Sequence, residues 1–209
     1  MKTISKIKEI NKKKHYKSVF ENEQELLKAL IDIHLGGKDI ELDPMYFKGA
    51  FYKDGVKEPK YIFDINPRTM FCPKGDARNL TQFENNTFNN MILDPLFLFG
   101  IHGKVKEYYT SGTMGVYKDF QELEKDYKAF LKEAHRLLKK QGILIFKCQD
   151  YTDSKTTLTH CLVYQWALEQ GFYAKDLAIL VKPNKIYNGN TIQRHLRKIH
   201  TYFFVFKNL

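Results

Sequence analysis

Three segments of the chain carry apolar residues at the spacing of an amphipathic helix. They are a stretch of about 13 residues from Glu23, residues 118–139 and residues 158–170. Each is followed by glycine, which most readily adopts the left-handed conformation in which many helices end. These glycines are Gly36, Gly142 and Gly171. The pattern therefore predicts three helices with defined ends.

Short apolar runs between these helices predict buried strands. The runs are residues 40–42, 61–63, 91–93, 143–146, 177–181 and 202–206, and a further strand is expected to end near Asp76. Strands that alternate with helices predict an α/β fold, in which helices cover both faces of a mostly parallel sheet. No clear helix separates the last two runs, so we expect them to form an antiparallel hairpin at one edge.

Aspartates follow several of the predicted strands. Asp43, Asp64 and Asp94 come directly after apolar runs, and Asp76 lies where a strand is expected to end. Because ligands of open α/β sheets bind beyond the carboxyl ends of the strands, these side chains are candidate ligand contacts. Asp64 follows Asp43 at about the spacing that lets a carboxylate accept hydrogen bonds from ribose hydroxyls. Each aspartate alone would also serve in a turn or a helix cap.

The distribution of charge adds a candidate partner. The chain has 209 residues and a formal net charge of +10. Residues 1–20 contain seven lysines and one glutamate, and residues 182–209 contain six lysines and arginines but no acidic residue. Basic segments bind phosphate backbones by releasing condensed counterions, which favours a nucleic acid as partner. A lysine-rich composition with a disordered tail would give the same charge.

Length and composition also limit the class of protein. We expect one folded domain over residues 21–209, preceded by a basic flexible arm over residues 1–20. The sequence has neither a long apolar run nor a signal-peptide core, so we expect a cytoplasmic protein without membrane association. Cys72, Cys148 and Cys161 lack the spacing of metal ligands. We therefore expect neither a disulfide framework nor a metal site.

Five motifs, in chain order, resemble bacterial and phage amino-methyltransferases that modify adenine or cytosine in DNA. They are Asp43-Pro-Met-Tyr-Phe-Lys-Gly49, Phe63-Asp64, Gly75-Asp76-Ala77-Arg78-Asn79-Leu80, Asp94-Pro95-Leu96-Phe97 and Gly142-Ile-Leu-Ile-Phe-Lys147-Cys-Gln-Asp150. The resemblance runs from about Glu23 to the C-terminus. It implies a Rossmann-like class I methyltransferase fold, with a seven-stranded, mostly parallel sheet whose last strand is antiparallel.

The resemblance implies S-adenosylmethionine as cofactor. The segment from Asp43 to Gly49 would wrap its methionine part, Asp64 would hold its ribose, and Asp76 with Ala77 would contact its adenine. The implied cofactor-binding residues are Asp43, Pro44, Met45, Tyr46, Phe47, Gly49, Asp64, Asp76 and Ala77. This segment departs from the family at Phe47, which occupies the position of the first of two glycines.

The tetrapeptide Asp94, Pro95, Leu96 and Phe97 carries the predicted catalysis. An exocyclic base amine is a poor nucleophile because its lone pair is delocalised into the ring. If the Asp94 carboxylate and the Pro95 carbonyl accept its hydrogens, the nitrogen becomes pyramidal and its lone pair can point at the sulfonium methyl. Phe97 would stack on the base. Leu96 replaces the second proline of the family's usual motif, so the backbone is less restricted there.

Two segments are predicted to contact the substrate. Residues 99–117 are long and rich in glycine, which favours a loop that closes over the substrate. Residues 182–200 offer cations for phosphates and a tyrosine for stacking. The predicted substrate-binding residues are Tyr109, Lys185, Tyr187, Arg194 and Arg197. An insertion without function and a solvated hairpin tip are the alternative interpretations.

The sequence therefore predicts an enzyme that methylates an exocyclic amine of a nucleic-acid base, with adenine N6 in DNA as the favoured target. In a duplex the target nucleotide must be flipped out of the stack. Alternatives are cytosine N4, an adenine of ribosomal or transfer RNA, and a binder in which Phe47 and Leu96 have removed the transfer. The catalytic core takes up almost the whole sequence, so we expect weak sequence preference, a specificity subunit or a homodimer.

Overall fold

The computed structural model describes residues 15–101, 115–152, 155–182, 194–196 and 198–209. The described helices are α1 (Glu23–His34), α2 (Phe120–Leu137) and α3 (Thr159–Glu169). The described strands are β1 (Val19–Phe20), β2 (Leu42–Asp43), β3 (Tyr61–Ile62), β4 (Phe88–Leu93), β5 (Leu138–Cys148), β6 (Tyr151–Thr152), β7 (Thr156–Thr157), β8 (Phe172–Val181) and β9 (His200–Asn208).

Seven of these strands form one sheet in the order β1, β8, β9, β5, β4, β2, β3, and β6 pairs with β7 as a separate ribbon. The neighbours β1 and β8, β5 and β4, β4 and β2, and β2 and β3 are parallel. Strand β9 is antiparallel to both β5 and β8. The predicted sheet, mostly parallel with an antiparallel last strand, is therefore confirmed.

Helices cover both faces of the sheet, as predicted. Leucines of α1 pack with Ile145 and Phe203 on one face. On the other face, α2 and α3 bury Tyr127 and Trp166 against Phe146. The two faces of the sheet thus have separate hydrophobic cores, and the alternation of side chains along β5 supplies both of them.

Capping side chains define where two helices begin. The Asn22 side chain accepts a hydrogen bond from the Glu25 N–H at the start of α1. The Asp119 side chain does the same for Glu122 at the start of α2. These caps satisfy backbone donors that have no partner within the helix.

Three local predictions need correction. A third strand does not end at Asp76, since Asp64 and Lys74 form only an isolated bridge and Pro73 lacks an N–H for a ladder. Helix α2 ends at Leu137, and the left-handed residue that follows it is Gln141, with φ 67°, instead of Gly142. The C-terminal hairpin does not form the sheet edge, because β1 pairs with the outer side of β8.

The N-terminal boundary also differs from the sequence-based expectation. Residues 1–14 of the predicted arm lie outside the described residues, but Val19–Phe20 forms β1. The folded part therefore begins before residue 21. None of the helices in the described ranges combines the length and the apolar composition that crossing a bilayer requires.

A buried amide of β9 joins the C-terminal end of α2 to the sheet. The side-chain nitrogen of Asn208 donates to the Leu138 carbonyl at 2.8 Å and lies 3.2 Å from the carbonyl of His135. Asn208 is only 3% exposed. The last carbonyls of a helix have no partner within the helix, so Asn208 supplies one.

We expect Asn208→Ala to destabilise the protein by about 1–3 kcal/mol, because buried carbonyls lose their donor. Urea denaturation monitored by circular dichroism measures this change. Asn79→Ala is the matched control, since the Asn79 side chain is exposed, and it should change the free energy of unfolding by under about 0.5 kcal/mol. Equal stability of the two variants would contradict the role assigned to Asn208.

Candidate active site at the carboxyl edge of the sheet

The order of strands creates a crevice between β2 and β4. From β2 the chain continues to β3 on one side, and then returns to place β4 and β5 on the other side. Open α/β sheets bind ligands outside the carboxyl ends of the strands at such a switch point. Asp43 is the last residue of β2 and Asp94 directly follows β4. Two of the predicted site residues therefore flank the position where a ligand is expected.

Asp43 is almost fully buried, with 2% of its surface exposed. One carboxylate oxygen accepts the Met45 N–H at 2.8 Å and the other accepts the Tyr52 hydroxyl at 2.6 Å. Burial raises the pKa of Asp43 to about 7, although these hydrogen bonds oppose the rise, and the charges of Asp94 and Asp64 add to it. The crevice thus contains a carboxyl group that titrates near neutral pH.

The segment after Asp43 follows a path that two left-handed residues make possible. Phe47 has φ 51° and Gly49 has φ 68°. Phe47 thus adopts the left-handed conformation that glycine populates most readily. The Asp64 carboxylate accepts the Phe47 N–H at 2.8 Å and holds this strained residue.

Aromatic rings of this segment pack on each other. Tyr46 stacks on Tyr52 with ring centroids 5.7 Å apart, and its hydroxyl donates to Glu58 at 2.6 Å. Pro44 is buried and Met45 is half-buried. The half-buried Phe47 is in neither of the two hydrophobic clusters that the described residues form, so its ring is not part of the core.

The carboxylates of Asp64 and Asp76 have hydrogen-bond or ion-pair partners within the protein. Both oxygens of Asp64 accept backbone N–H groups, one from Phe47 and the other from Asn66 at 2.7 Å. Asp76 forms an ion pair with Arg78, whose hydrogen bonds lower the pKa of Asp76. Arg78 also pairs with Asp126 of α2. The neighbouring residue Ala77 is buried.

A hydrogen bond from α2 holds the tetrapeptide that follows β4. The hydroxyl of the buried Tyr127 donates to the Leu96 carbonyl at 2.9 Å. Pro95 is buried, whereas Leu96 and Phe97 are partly exposed. The hydrogen bond from α2 therefore restrains the backbone at Leu96, which lacks the rigidity that a proline would give.

Asp94 forms an ion pair with a lysine of β5. The Lys147 ammonium lies 2.9 Å from the Asp94 carboxylate and 3.0 Å from the Glu23 carboxylate of α1. Burial raises the pKa of Asp94 above its ordinary value, and the Lys147 charge and hydrogen bond limit this rise. Lys147 also lies over the Phe51 ring, 4.8 Å from its centroid.

Sequence reasoning assigned no role to four of these residues. Lys147 carried a signal, because it is a cation that directly follows the apolar run of residues 143–146, and Glu23 was placed only at the start of a helix. Tyr52 and Tyr127 carried no signal, since their hydroxyls act across 9 and 31 residues of sequence.

The predicted substrate contacts fall mostly outside the described residues. This holds for Tyr109, Lys185, Tyr187 and Arg197, whereas Arg194 is described and exposed. The described residues contain no group of His, Cys, Asp and Glu side chains that could hold a metal ion. The His160 Nδ1 atom forms a hydrogen bond of 2.7 Å with the buried Asp150 carboxylate, and the ring stacks on Tyr202.

The sheet order and the switch-point crevice define a Rossmann-like class I methyltransferase fold. A solved structure with this fold is the 1,6-didemethyltoxoflavin-N1-methyltransferase of Burkholderia thailandensis, which holds S-adenosylhomocysteine. It is 14% identical, with a TM-score of 0.53, and the match covers 90% of this chain and 79% of that protein.

A family model described as DNA methylase matches residues 73–208, which is more than half of the chain. The chain therefore belongs to this family of DNA methylases. The family resemblance inferred from the motifs is therefore confirmed at the level of the family. No curated protein sequence matches the chain significantly.

Two further similar structures are described as DNA-modifying enzymes. One is a candidate DNA modification methylase from Thermus thermophilus in complex with S-adenosyl-L-methionine, 17% identical with a TM-score of 0.43, matched over 64% of this chain and 53% of its own. The other is the cytosine-N4-specific PvuII DNA methyltransferase, 14% identical with a TM-score of 0.48, matched over 65% and 48%. The chain thus spans about half the length of each.

We expect Gly49→Ala to destabilise the protein because a Cβ atom would collide with the ring and hydroxyl of Tyr46. Gly36→Ala is the matched control, since Gly36 has a similar φ of 62° but no atom within 4 Å of the added methyl group. The clash should make Gly49→Ala about 1–3 kcal/mol less stable than Gly36→Ala. Thermal and urea denaturation measure the difference, and equal losses would show that the loop accommodates the methyl group.

Proposed function

We propose that this chain transfers a methyl group from S-adenosylmethionine to an exocyclic amine of a base in DNA, with adenine N6 as the target. The observation that carries the proposal is the meeting of Asp43 and Asp94 at the switch point between β2 and β4. Membership of the DNA methylase family supports the reaction and the substrate class.

The residues at the crevice fit a cationic cofactor. S-adenosylmethionine supplies the methyl group and carries a positive sulfonium, which favours nearby carboxylates. Asp43 is buried with a pKa near 7, so a cation beside it would stabilise the ionised carboxylate. We assign the methionine part to Asp43, Pro44, Met45, Tyr46, Phe47 and Gly49.

Asp64 and Asp76 complete the proposed cofactor site with Ala77. Each Asp64 oxygen already accepts one backbone N–H, and a carboxylate oxygen has a second lone pair that can accept a ribose hydroxyl. Asp76 is held ionised by Arg78. The acidic side chain and the buried Ala77 backbone would then hold the adenine side of the cofactor.

The tetrapeptide would prepare the amine of the target base for attack. The Asp94 carboxylate accepts one amine hydrogen and the Pro95 carbonyl accepts the other, which favours a pyramidal nitrogen with an available lone pair. Phe97 is partly exposed and can stack on the base, a contact worth about 1–3 kcal/mol. The hydrogen bond from Tyr127 to Leu96 holds the turn while this happens.

Arg194, together with Tyr109, Lys185, Tyr187 and Arg197, is assigned to the DNA. Cations there would contact phosphates and fix the orientation of the duplex without reading its sequence. Because the target base is paired in a duplex, it must leave the stack to reach Asp94.

We expect the affinity for S-adenosylmethionine to rise with pH through the titration of Asp43. The free carboxyl has a pKa of about 7, and the cation binds its ionised form, so protonation competes with binding below pH 7. Calorimetry should show roughly tenfold tighter binding at pH 7.5 than at pH 6.

Asp43→Asn tests the source of this pH dependence. The variant should bind the cofactor more weakly and with nearly equal Kd at the two pH values. If the Kd of the variant depends on pH as strongly as that of the unsubstituted protein, another group titrates. If the unsubstituted protein binds the cofactor equally well at both pH values, the role of Asp43 is contradicted.

We expect Asp94→Asn to lower kcat for methyl transfer by about 100-fold or more, since the amine loses a charged acceptor. Its Kd for the cofactor should change by less than about threefold. Transfer of tritiated methyl groups to duplex DNA, single-stranded DNA and total RNA measures the activity, and nucleoside mass spectrometry identifies the base.

The control for Asp94→Asn is Asp39→Asn, which changes an exposed aspartate paired with Lys57. It should leave kcat unchanged. N6-methyladenine in DNA supports the proposal. Methylation of cytosine N4 alone, or of RNA alone, would show that adenine in DNA is the wrong substrate. Failure of the unsubstituted protein both to bind the cofactor and to methylate any substrate would leave only a nucleic-acid binder.

A further inference from the structure

We propose that Lys147 is a positioning residue for methyl transfer, which orients the Asp94 carboxylate and keeps it ionised, and that Glu23 holds Lys147 in place. The inference rests on the function proposed above. Lys147 lies on β5, Asp94 follows β4 and Glu23 begins α1. Three elements that are distant in sequence thus meet at one ammonium group.

The position of Lys147 in β5 explains why its charge must be paired. Most of the strand is buried, and its side chains alternate between the two hydrophobic cores. The Lys147 side chain is only 13% exposed to solvent, and the side chains of Glu23 and Asp94 are 14% and 29% exposed. A buried ammonium without partners would be strongly destabilising. The two carboxylates and the faces of Phe51 and Phe203 supply the required partners.

The ion pair gives the two oxygens of Asp94 different roles. The Lys147 ammonium donates to Oδ2 at 2.9 Å. This leaves Oδ1 to accept a hydrogen from the amine, in a carboxylate whose other oxygen is held by the lysine. A catalytic acceptor that is already oriented needs no reorganisation when the reaction begins.

The surrounding charges determine whether Asp94 is ionised. Lys147 faces it from β5, Glu23 from α1 and Lys182 from the end of β8, while Asp43 lies at the end of the neighbouring strand β2. Burial already raises the pKa of Asp94, Lys147 and Lys182 lower it, and Glu23 raises it. Loss of Lys147 should therefore raise the pKa of Asp94 further, and loss of the Glu23 charge should lower it.

Opposite shifts from two neighbouring substitutions distinguish positioning from mere structural support. In Lys147→Met, the acid limb of the pH profile of kcat should move to higher pH by at least about one unit, and kcat at pH values below this limb should fall by about tenfold or more. In Glu23→Gln, the same limb should move to lower pH. The KM for the cofactor should change by less than about threefold in both variants.

Lys147→Arg tests rescue by a conservative change. Arginine keeps the positive charge, so the acid limb should return to within about half a pH unit of that of the unsubstituted protein. Lys57→Met is the matched control, because Lys57 forms an exposed ion pair with Asp39 away from the crevice. It should leave the profile unchanged.

A second measurement does not depend on catalysis. Carbon NMR of the Asp94 carboxyl group, titrated in the full-length protein without cofactor, should show the same upward shift for Lys147→Met and the same downward shift for Glu23→Gln. If Lys147→Met does not fold, the Glu23→Gln and Lys147→Arg titrations still decide the question.

The outcomes separate this inference from the proposed function. Absence of methyl transfer by the unsubstituted protein would overturn the function, while the NMR titration would still test the coupling of Lys147 to Asp94. An unshifted acid limb and an unshifted Asp94 titration in the variants would overturn the role of Lys147, even in an active methyltransferase. A uniform loss of kcat at every pH would also overturn it.

Discussion

A lysine between two carboxylates ties three elements of the fold to one point at the carboxyl edge of the sheet. The Lys147 ammonium contacts both Asp94 and Glu23, and removal of any one charge would leave another poorly compensated in a partly buried place. The relative position of α1, β5 and the turn after β4 is therefore coupled to the state of the candidate site.

This pairing also separates the behaviour of two neighbouring acids. Asp94 has a cation at hydrogen-bond distance, whereas the donors to Asp43 among the described residues are the neutral groups of Met45 and Tyr52. Environments that push the pKa values of nearby carboxyl groups apart are a common basis for different roles in one active site. Here, Asp94 is paired with the Lys147 ammonium, and Asp43 has a pKa near neutral pH.

The sequence predicted the layers of the fold because its signals are local and periodic. The apolar spacing in α1 and the stop at Gly36 define that helix, and the final strand pair followed from the absence of a helix between them. Helix α2 ended earlier than predicted because Asn208, 70 residues from Leu138, stabilises the exit from the helix. Such tertiary partners leave no trace in the local pattern.

Only part of the candidate site was predicted, because only some of its residues carry a local signal in the sequence. Asp43 and Asp94 were found because strand ends meet at one edge of a parallel sheet. Phe47 was expected to conflict with a cofactor loop, yet its backbone adopts a left-handed conformation that glycine usually supplies, and its N–H donates to Asp64. Whether a side chain can tolerate such a conformation depends on partners that only the folded chain brings together.

The place of β9 in the sheet has a consequence for biosynthesis. This strand comes after β5 and β8 in the chain but lies between them. During translation, both neighbours leave the ribosome before the strand that separates them, and their unpaired edges are then exposed to each other and to other chains. Closure of the sheet must therefore await the emergence of β9, and nascent chains halted before this strand would be prone to aggregate or to need a chaperone.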